Sequence, residues 1–298
     1  MEKTEAEAVT KKEYDISVCL AAIRKDNWET LYNSVVQSVG DYSFELIFCG
    51  PYAYPPAALK NLDNVRCIRD FGPPTRAQQR SMSIATGRYI TWAADDGWFL
   101  EQSLSECIKE LDDNLLEKKC IVGRYIEGEQ DGLGEKDMYY INKHRDIRSP
   151  LIPDHFLIFN CVVLPTQYFK DLGGFDCRFE VCPLAFVDFG ARAQFDGIQI
   201  SFKNAIFQCT HSPGHTGDHG PVHDAQQGHD CDIYKQIWNT PAPNEVQDIH
   251  GNVARIKIDF DNWLQVPEVW IRRFSAEDVA EANKPVSYTH LRAHETVL

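Results

Sequence analysis

The chain has 298 residues, 43% of them hydrophobic, and 30 basic against 44 acidic side chains give a formal net charge of -14. That length can bury a full core as one large domain, with or without an extension. The charge excludes a general nucleic-acid or anionic-membrane surface, since both need clustered Lys and Arg.

Ten cysteines without a C-x-x-C pair point to reduced, mostly buried thiols and a cytoplasmic setting. No signal peptide is visible, and no apolar run approaches the roughly 20 residues of a membrane-spanning helix.

Residues 1–13 are charged and aperiodic, which predicts a disordered arm. After Asp15, ISVCLAAI is a continuous apolar run of the kind buried in a parallel sheet. DNWETLYNSVVQSVG then carries Trp28, Leu31, Val35, Val36 and Val39 at helical spacing and stops at Gly40. FELIFCGP and NVRCIRDFG read as two more strands. Thr75 is expected to cap a helix RAQQRSMSIATG that ends at Gly87.

The stretch RYITWAADDG, residues 88–97, follows: an apolar strand that delivers Asp95 and Asp96 to its own end. Leu100, Leu104, Ile108 and Leu111 make the next amphipathic helix. This alternation predicts an α/β fold, a mostly parallel central sheet with helices on both faces, and ligands at the carboxyl ends of the strands.

CIVGRYIEG, from Cys120, reads as a strand, and residues 129–153 as a long polar loop suited to an acceptor site or lid. HFLIFNCVVLP returns to strand character; TQYFKDLGGFD gives one or two helical turns broken by Gly173-Gly174. VDFGARAQFDG is a short helix with Asp188 and Arg192 one turn apart, leading to a strand pair around Ile198 to Cys209. The run THSPGHTGDHGPVHDAQQGHDC holds five histidines and is too rich in Gly and Pro for regular structure, so a loop is expected, solvated or facing substrate. A separate zinc site there is a weaker alternative, because four-residue His spacing suits a helix. IYKQIW is a helical turn, and VARIKIDFDNW alternates as a late strand over Val253 to Phe260. Residues 286–298 have no periodicity linking them to the rest and resemble a non-native read-through tail.

Two adjacent carboxylates at a strand end are often only turn formers. At the mouth of a parallel sheet they also suit Mg²⁺ or Mn²⁺ bridging to a nucleoside diphosphate. Ala85-Thr86-Gly87, the strand to Ala93, Ala94-Asp95-Asp96 and the later Gly173-Gly174-Phe175-Asp176, together with the opening ISVCLAAI, resemble in order and spacing the inverting family 2 type of GT-A fold glycosyltransferases. The resemblance spans roughly Asp15 to Trp238. It implies a GT-A-like nucleotide-diphospho-sugar transferase domain over residues 14–240, a C-terminal extension over 241–285, and metal-assisted sugar transfer from a nucleotide sugar to an acceptor hydroxyl with inversion.

The resemblance assigns the metal to Asp96, with His211 completing the site. It places Asp95 near the ribose or donor sugar, Ala22 at the nucleotide position where a proline is usual, and Arg76, with Arg80, on the phosphate side. The bland reading of the two arginines is a solvated helix face. The acidic pair usual before the last catalytic helix falls on Ala185 and Phe186, which leaves Asp188 as candidate base and Asp176 and Glu180 behind it. Pairing of Asp188 with Arg192 is the structural alternative.

The second strand ends Cys49-Gly50-Pro51 without the usual aspartates, and Ala94 stands where the metal motif usually has its first acid. Nucleotide identity therefore stays open. Two other readings stand beside the transferase: a binding module that kept the fold and lost the base, and a nucleotidyltransferase. The last would want a Gly-rich loop where AAIRKDNW has no glycine.

Overall fold

A computed structural model of the chain describes residues 14–113, 118–127, 141–142, 156–209, 219–238 and 256–284. The arm, the tail, His211 and most of the 129–153 loop lie outside the described residues.

The apolar runs form the strands β1 (Ile16–Ala21), β2 (Phe44–Gly50), β3 (Val65–Arg69) and β4 (Tyr89–Trp92). β5 (Gly97–Phe99), β6 (Lys119–Glu127), β7 (Ile141–Asn142), β8 (Phe156–Leu157), β9 (Val162–Pro165) and β10 (Gln199–Cys209) follow. Eight of them make one sheet in the order β3-β2-β1-β4-β9-β6-β10-β5, and β7 pairs with β8 apart from it. β3, β2, β1 and β4 run parallel, as do β6 and β10, while β9 and β5 are antiparallel to their neighbours.

Period-2 alternation explains the two cores. Ile16, Val18 and Leu20 of β1 pack with α1 (Trp28–Val39) and α3 (Ser103–Asp112). Cys19 points the other way, toward α2 (Pro74–Ser83), α4 (Thr166–Asp171) and α5 (Cys182–Phe195). With apolar groups on both sides the strands read as continuous hydrophobic runs, and the fold is the expected α/β arrangement with helices on both faces.

Several boundaries differ from expectation. Thr75 is not a cap: the helix begins at Pro74, a first-turn position that loses no helical hydrogen bond. It ends at Ser83, because Thr86 N–H donates to Glu45 Oε1 (2.6 Å) and Gly87 N–H to Ser17 Oγ (2.8 Å), which draws the chain off the helix axis into β4. The run from His155 to Pro165 is two strands rather than one, and the expected strand pair ending at Cys209 is the single strand β10.

The described part of the late strand, residues 256–260, is not in a ladder. Instead Ile258 N–H donates to Leu172 O (3.2 Å), and Ile256 and Phe260 cover the second core. That segment lies on the Gly173-Gly174 turn, where both residues have positive φ (93° and 64°). A Cβ on Gly173 would stand 2.1 Å from Ile258 O, so the Gly-Gly pair is required by its backbone and its neighbour together.

The histidine-rich region is the largest departure. From Gly220 it is helical: α6 (Gly220–Ala225), a π turn over Gln226–Asp230, and α7 (Cys231–Trp238). Pro221 sits in the first turn, where it starts a helix instead of breaking one. Asp230 fixes the π turn, accepting from Glu180 N–H (2.8 Å) and Val181 N–H (2.9 Å) just ahead of α5.

Candidate active site

A cavity of about 550 Å³ opens at the carboxyl ends of β1, β2 and β4. Its floor is Ala21, Ala22, Ala93 and Ala94, and its far wall is Leu184, Phe186 and Val187 of α5. Trp92 stacks on Phe186 (centroids 5.6 Å apart, 25° between planes) and meets Phe175 and Phe189 edge-on, so the β4 end is clamped by aromatics. His219, Val222 and Gln226 approach from the α6 side, and Trp270, Arg273 and Phe274 from the C-terminal segment. That segment is tied to the sheet side by Trp270 N–H donating to Phe71 O (2.7 Å) and by Trp270 Nε1 donating to Glu180 Oε2 (2.9 Å).

Asp95 and Asp96 are brought to this cavity, but unequally. Asp95 is 2% exposed. Its Oδ2 accepts from the N–H groups of Ile23 and Arg24, both at 2.5 Å, and its Oδ1 accepts from Arg24 Nη1 at 2.5 Å. Asn27 Nδ2 donates to Asp95 O at 3.0 Å. Asp95 therefore fastens the loop after β1 to the end of β4. Asp96 Oδ2 faces the same guanidinium at 3.5 Å and His219 Nε2 at 3.6 Å, and Arg24 Nη2 lies 3.3 Å from His219 Nε2. Burial pushes the Asp96 carboxyl above its ordinary value, the Arg24 charge pulls it back, and the Asp95 charge adds to the rise.

Ala22 lines the cavity, its N–H donating to Cys49 O (2.8 Å). The neighbouring Gly50 allows this approach, since a Cβ there would stand 1.9 Å from Ala22 O. His211 lies outside the described residues.

Arg76 is placed differently from either expectation. It is 1% exposed and does not line the cavity. Its Nε donates to both oxygens of Asp70 (3.2 and 3.1 Å), and its Nη1 to Trp263 O (2.5 Å) and Val266 O (2.7 Å), locking the C-terminal segment onto α2. Arg80 joins the same Asp70 at 2.6 Å.

Asp188 is likewise withdrawn from the cavity. It is fully buried, with Oδ2 2.8 Å from Arg192 Nε and Oδ1 accepting from Trp238 Nε1 at 3.0 Å. Its α5 neighbours Phe186 and Val187 face the cavity in its place. Asp176 pairs with Arg178 at 2.6 Å and Glu180 with Arg272 at 2.5 Å, and neither lines the cavity.

Sequence reasoning missed Arg24, and it had His219 only as one of five histidines in an irregular loop. For Arg24 the available signal was position, a cation directly after the first buried strand on the ligand side of the sheet. For His219 it was the helix-starting Gly-Pro behind it.

The described donor set does not fit a resident Mg²⁺ or Mn²⁺. Both Asp95 oxygens are engaged by β1-loop donors, and the Arg24 cation already stands beside both carboxylates. Among the described residues no group of three or more His, Cys, Asp or Glu side chains is disposed to hold a metal ion.

No protein-family model and no curated protein sequence matches the chain. Its fold is similar to the crystal structure of S. aureus TarS 1-349, with a TM-score of 0.53 and 13% identity over 84% of this chain and 71% of that one. It is also similar to S. aureus TarS 1-349 in complex with UDP, with a TM-score of 0.51 and 13% identity over 80% and 70%. The fold is the GT-A-like one expected from the motifs. Among the described residues no helix is long and apolar enough to cross a membrane.

Proposed function

We propose that this chain is a glycosyltransferase that binds a nucleoside-diphosphate sugar in the cavity at the ends of β1, β2 and β4. The observation that carries the reading is the placement of Asp95, Asp96 and Arg24 at the carboxyl ends of parallel strands, on a fold shared with a protein crystallised with UDP. Open α/β sheets bind ligands at such ends.

In the reaction an acceptor oxygen bonds to the anomeric carbon while the bond from that carbon to the phosphate oxygen breaks. The bonding pair leaves with the diphosphate, and the acceptor proton passes to water or to a base. A single displacement of this kind inverts the anomeric centre. Negative charge grows on the leaving phosphates, which is where a fixed positive group lowers the barrier.

A second reading, a nucleotide-sugar-binding module without turnover, is favoured by one observation. The α5 wall presents Phe186 and Val187 to the cavity, while Asp188 is engaged with Arg192 and Trp238.

Calorimetric titration of UDP-, GDP- and dTDP-sugars, followed by assays for released nucleoside diphosphate and for transfer to a panel of sugar and alcohol acceptors, separates the two. Binding of at least one donor with turnover is expected. Binding without turnover in any assay would favour the module, and no binding at all would sink both.

A further inference from the structure

We infer that Arg24, held by Asp95, is the fixed cation that meets the donor's diphosphate in this chain, in the place where the sequence motif suggests a divalent ion. The inference rests on the glycosyltransferase reading and names the group that reading needs.

The placement is built from both ends of one residue. Asp95 Oδ2 accepts the N–H of Arg24 and that of Ile23 before it, while Asp95 Oδ1 accepts from the Arg24 head group, each at 2.5 Å. Asn27, on the far side of Arg24, donates to the Asp95 carbonyl. The guanidinium is thus set in position before any ligand arrives, the condition under which an electrostatic group costs no reorganisation during reaction.

Three quarters of the Arg24 side chain is withdrawn from solvent, and it lines the cavity, where water screens its charge less than at a surface. A guanidinium presents planar paired donors that match phosphate oxygens bidentately. Asp70, the other carboxylate on the cavity wall, is covered by Arg76 and Arg80, and Arg273 stands on the C-terminal side of the cavity. Asp96, 3.5 Å from the Arg24 head, is then a competitor of the phosphates for Arg24. If it were a metal ligand it would be their ally, and the two roles predict opposite effects of removing its charge.

The test is calorimetric titration of the full chain with UDP, with GDP and dTDP run beside it, once in EDTA and once in MnCl₂. Wild type, Arg24→Met, Arg24→Lys and Asp96→Asn are compared, each checked for folding by circular dichroism and thermal melting. Expected are UDP affinities for wild type that differ by less than about threefold between EDTA and Mn²⁺, and a loss of about tenfold or more in Arg24→Met, the size of one charge-assisted contact. Arg24→Lys should recover part of that loss, and Asp96→Asn should bind UDP as tightly as wild type or several-fold tighter.

Loss of UDP binding in EDTA, together with loss in Asp96→Asn and retention in Arg24→Met, would assign the charge to a metal ion and overturn the inference while leaving the glycosyltransferase reading standing. If wild type binds none of the three nucleotides in either buffer, that reading falls and takes this inference with it. Should Arg24→Met fail to fold, Arg24→Lys and Asp96→Asn decide: wild-type-like binding by Asp96→Asn in EDTA supports Arg24, and its loss overturns it.

Discussion

Arg24–Asp95 and Arg192–Asp188 are the same chemical pair in two settings. In the first, the arginine keeps about a quarter of its side chain exposed at the cavity, and the aspartate holds the loop after β1. In the second, both partners are fully buried. Arg192 also donates to Leu172 O (2.8 Å) and to Gly174 O, so the pair secures the Gly173-Gly174 turn to α5. An ion pair open to a cavity can exchange one partner for a ligand. One closed inside the core can only hold its neighbours.

The sharpest way to break this comparison is Asp188→Ala. It leaves the Arg192 charge buried without its partner, and removing one member of such a pair typically costs about 3–5 kcal/mol. Urea denaturation should show a loss of that size, while the folded fraction titrates UDP within about twofold of wild type. A variant that instead kept its stability and lost only sugar transfer would restore Asp188 as a base and refute the core assignment.

Asp95→Ala ranks second in stability but first in its effect on the site. Three donors lose their acceptor at once, and the two backbone N–H groups can rehydrate in part as the loop loosens, so a cost of about 2 kcal/mol is expected. UDP affinity should fall by about tenfold or more, because the loop that carries Arg24 is no longer fixed. If denaturation and calorimetry showed the stability loss with unchanged affinity, Asp95 would be only a turn former.

The unequal legibility of the two pairs in the sequence has a physical basis. Asp188 and Arg192 are four residues apart, and helical spacing offers their contact directly. The sequence leaves open whether that contact faces solvent, cavity or core, and Trp238, which closes it, lies 50 residues on. Arg24 and Asp95 are 71 residues apart and meet only because β1 and β4 are adjacent parallel strands.

β1, β2 and β4 were readable because continuous apolar runs suit strands covered on both faces, whereas the equally apolar run from His155 divides between two sheets. Arg76 was misplaced because α2 is covered on what would have been its solvent face by residues 263–266. The helix from Gly220 was missed because its glycines and Pro221 weigh against helix when counted, whereas the first turn accommodates proline and Asp230 anchors the π turn.

Another Arg–Asp pair, Asp176 with Arg178, is more open to solvent than either and gives the smallest effect. The Asp176 side chain is 5% exposed, but that of Arg178 is 57% exposed. Burial opposes ionisation of Asp176, yet the hydrogen bonds and charge of Arg178 outweigh it and hold the carboxyl below the usual range. A carboxyl lowered by folding contributes stability that is complete above its ordinary value and is lost as pH falls through the lowered one.

Asp176→Asn should therefore cost stability near neutral pH, by about 1 kcal/mol or less because solvent screens the exposed guanidinium. The difference from wild type should shrink below about pH 4, where the unfolded chain begins to bind the proton that the native carboxylate resists. Urea denaturation of both proteins across that range measures it. A difference that stayed constant with pH would mean that the cost comes from the amide N–H₂ that Asn sets against Arg178 Nη2, since the Asn oxygen can still accept from Arg178 N–H. The charge of the pair would then contribute nothing, and the contrast between cavity and core pairs would rest on packing rather than on electrostatics.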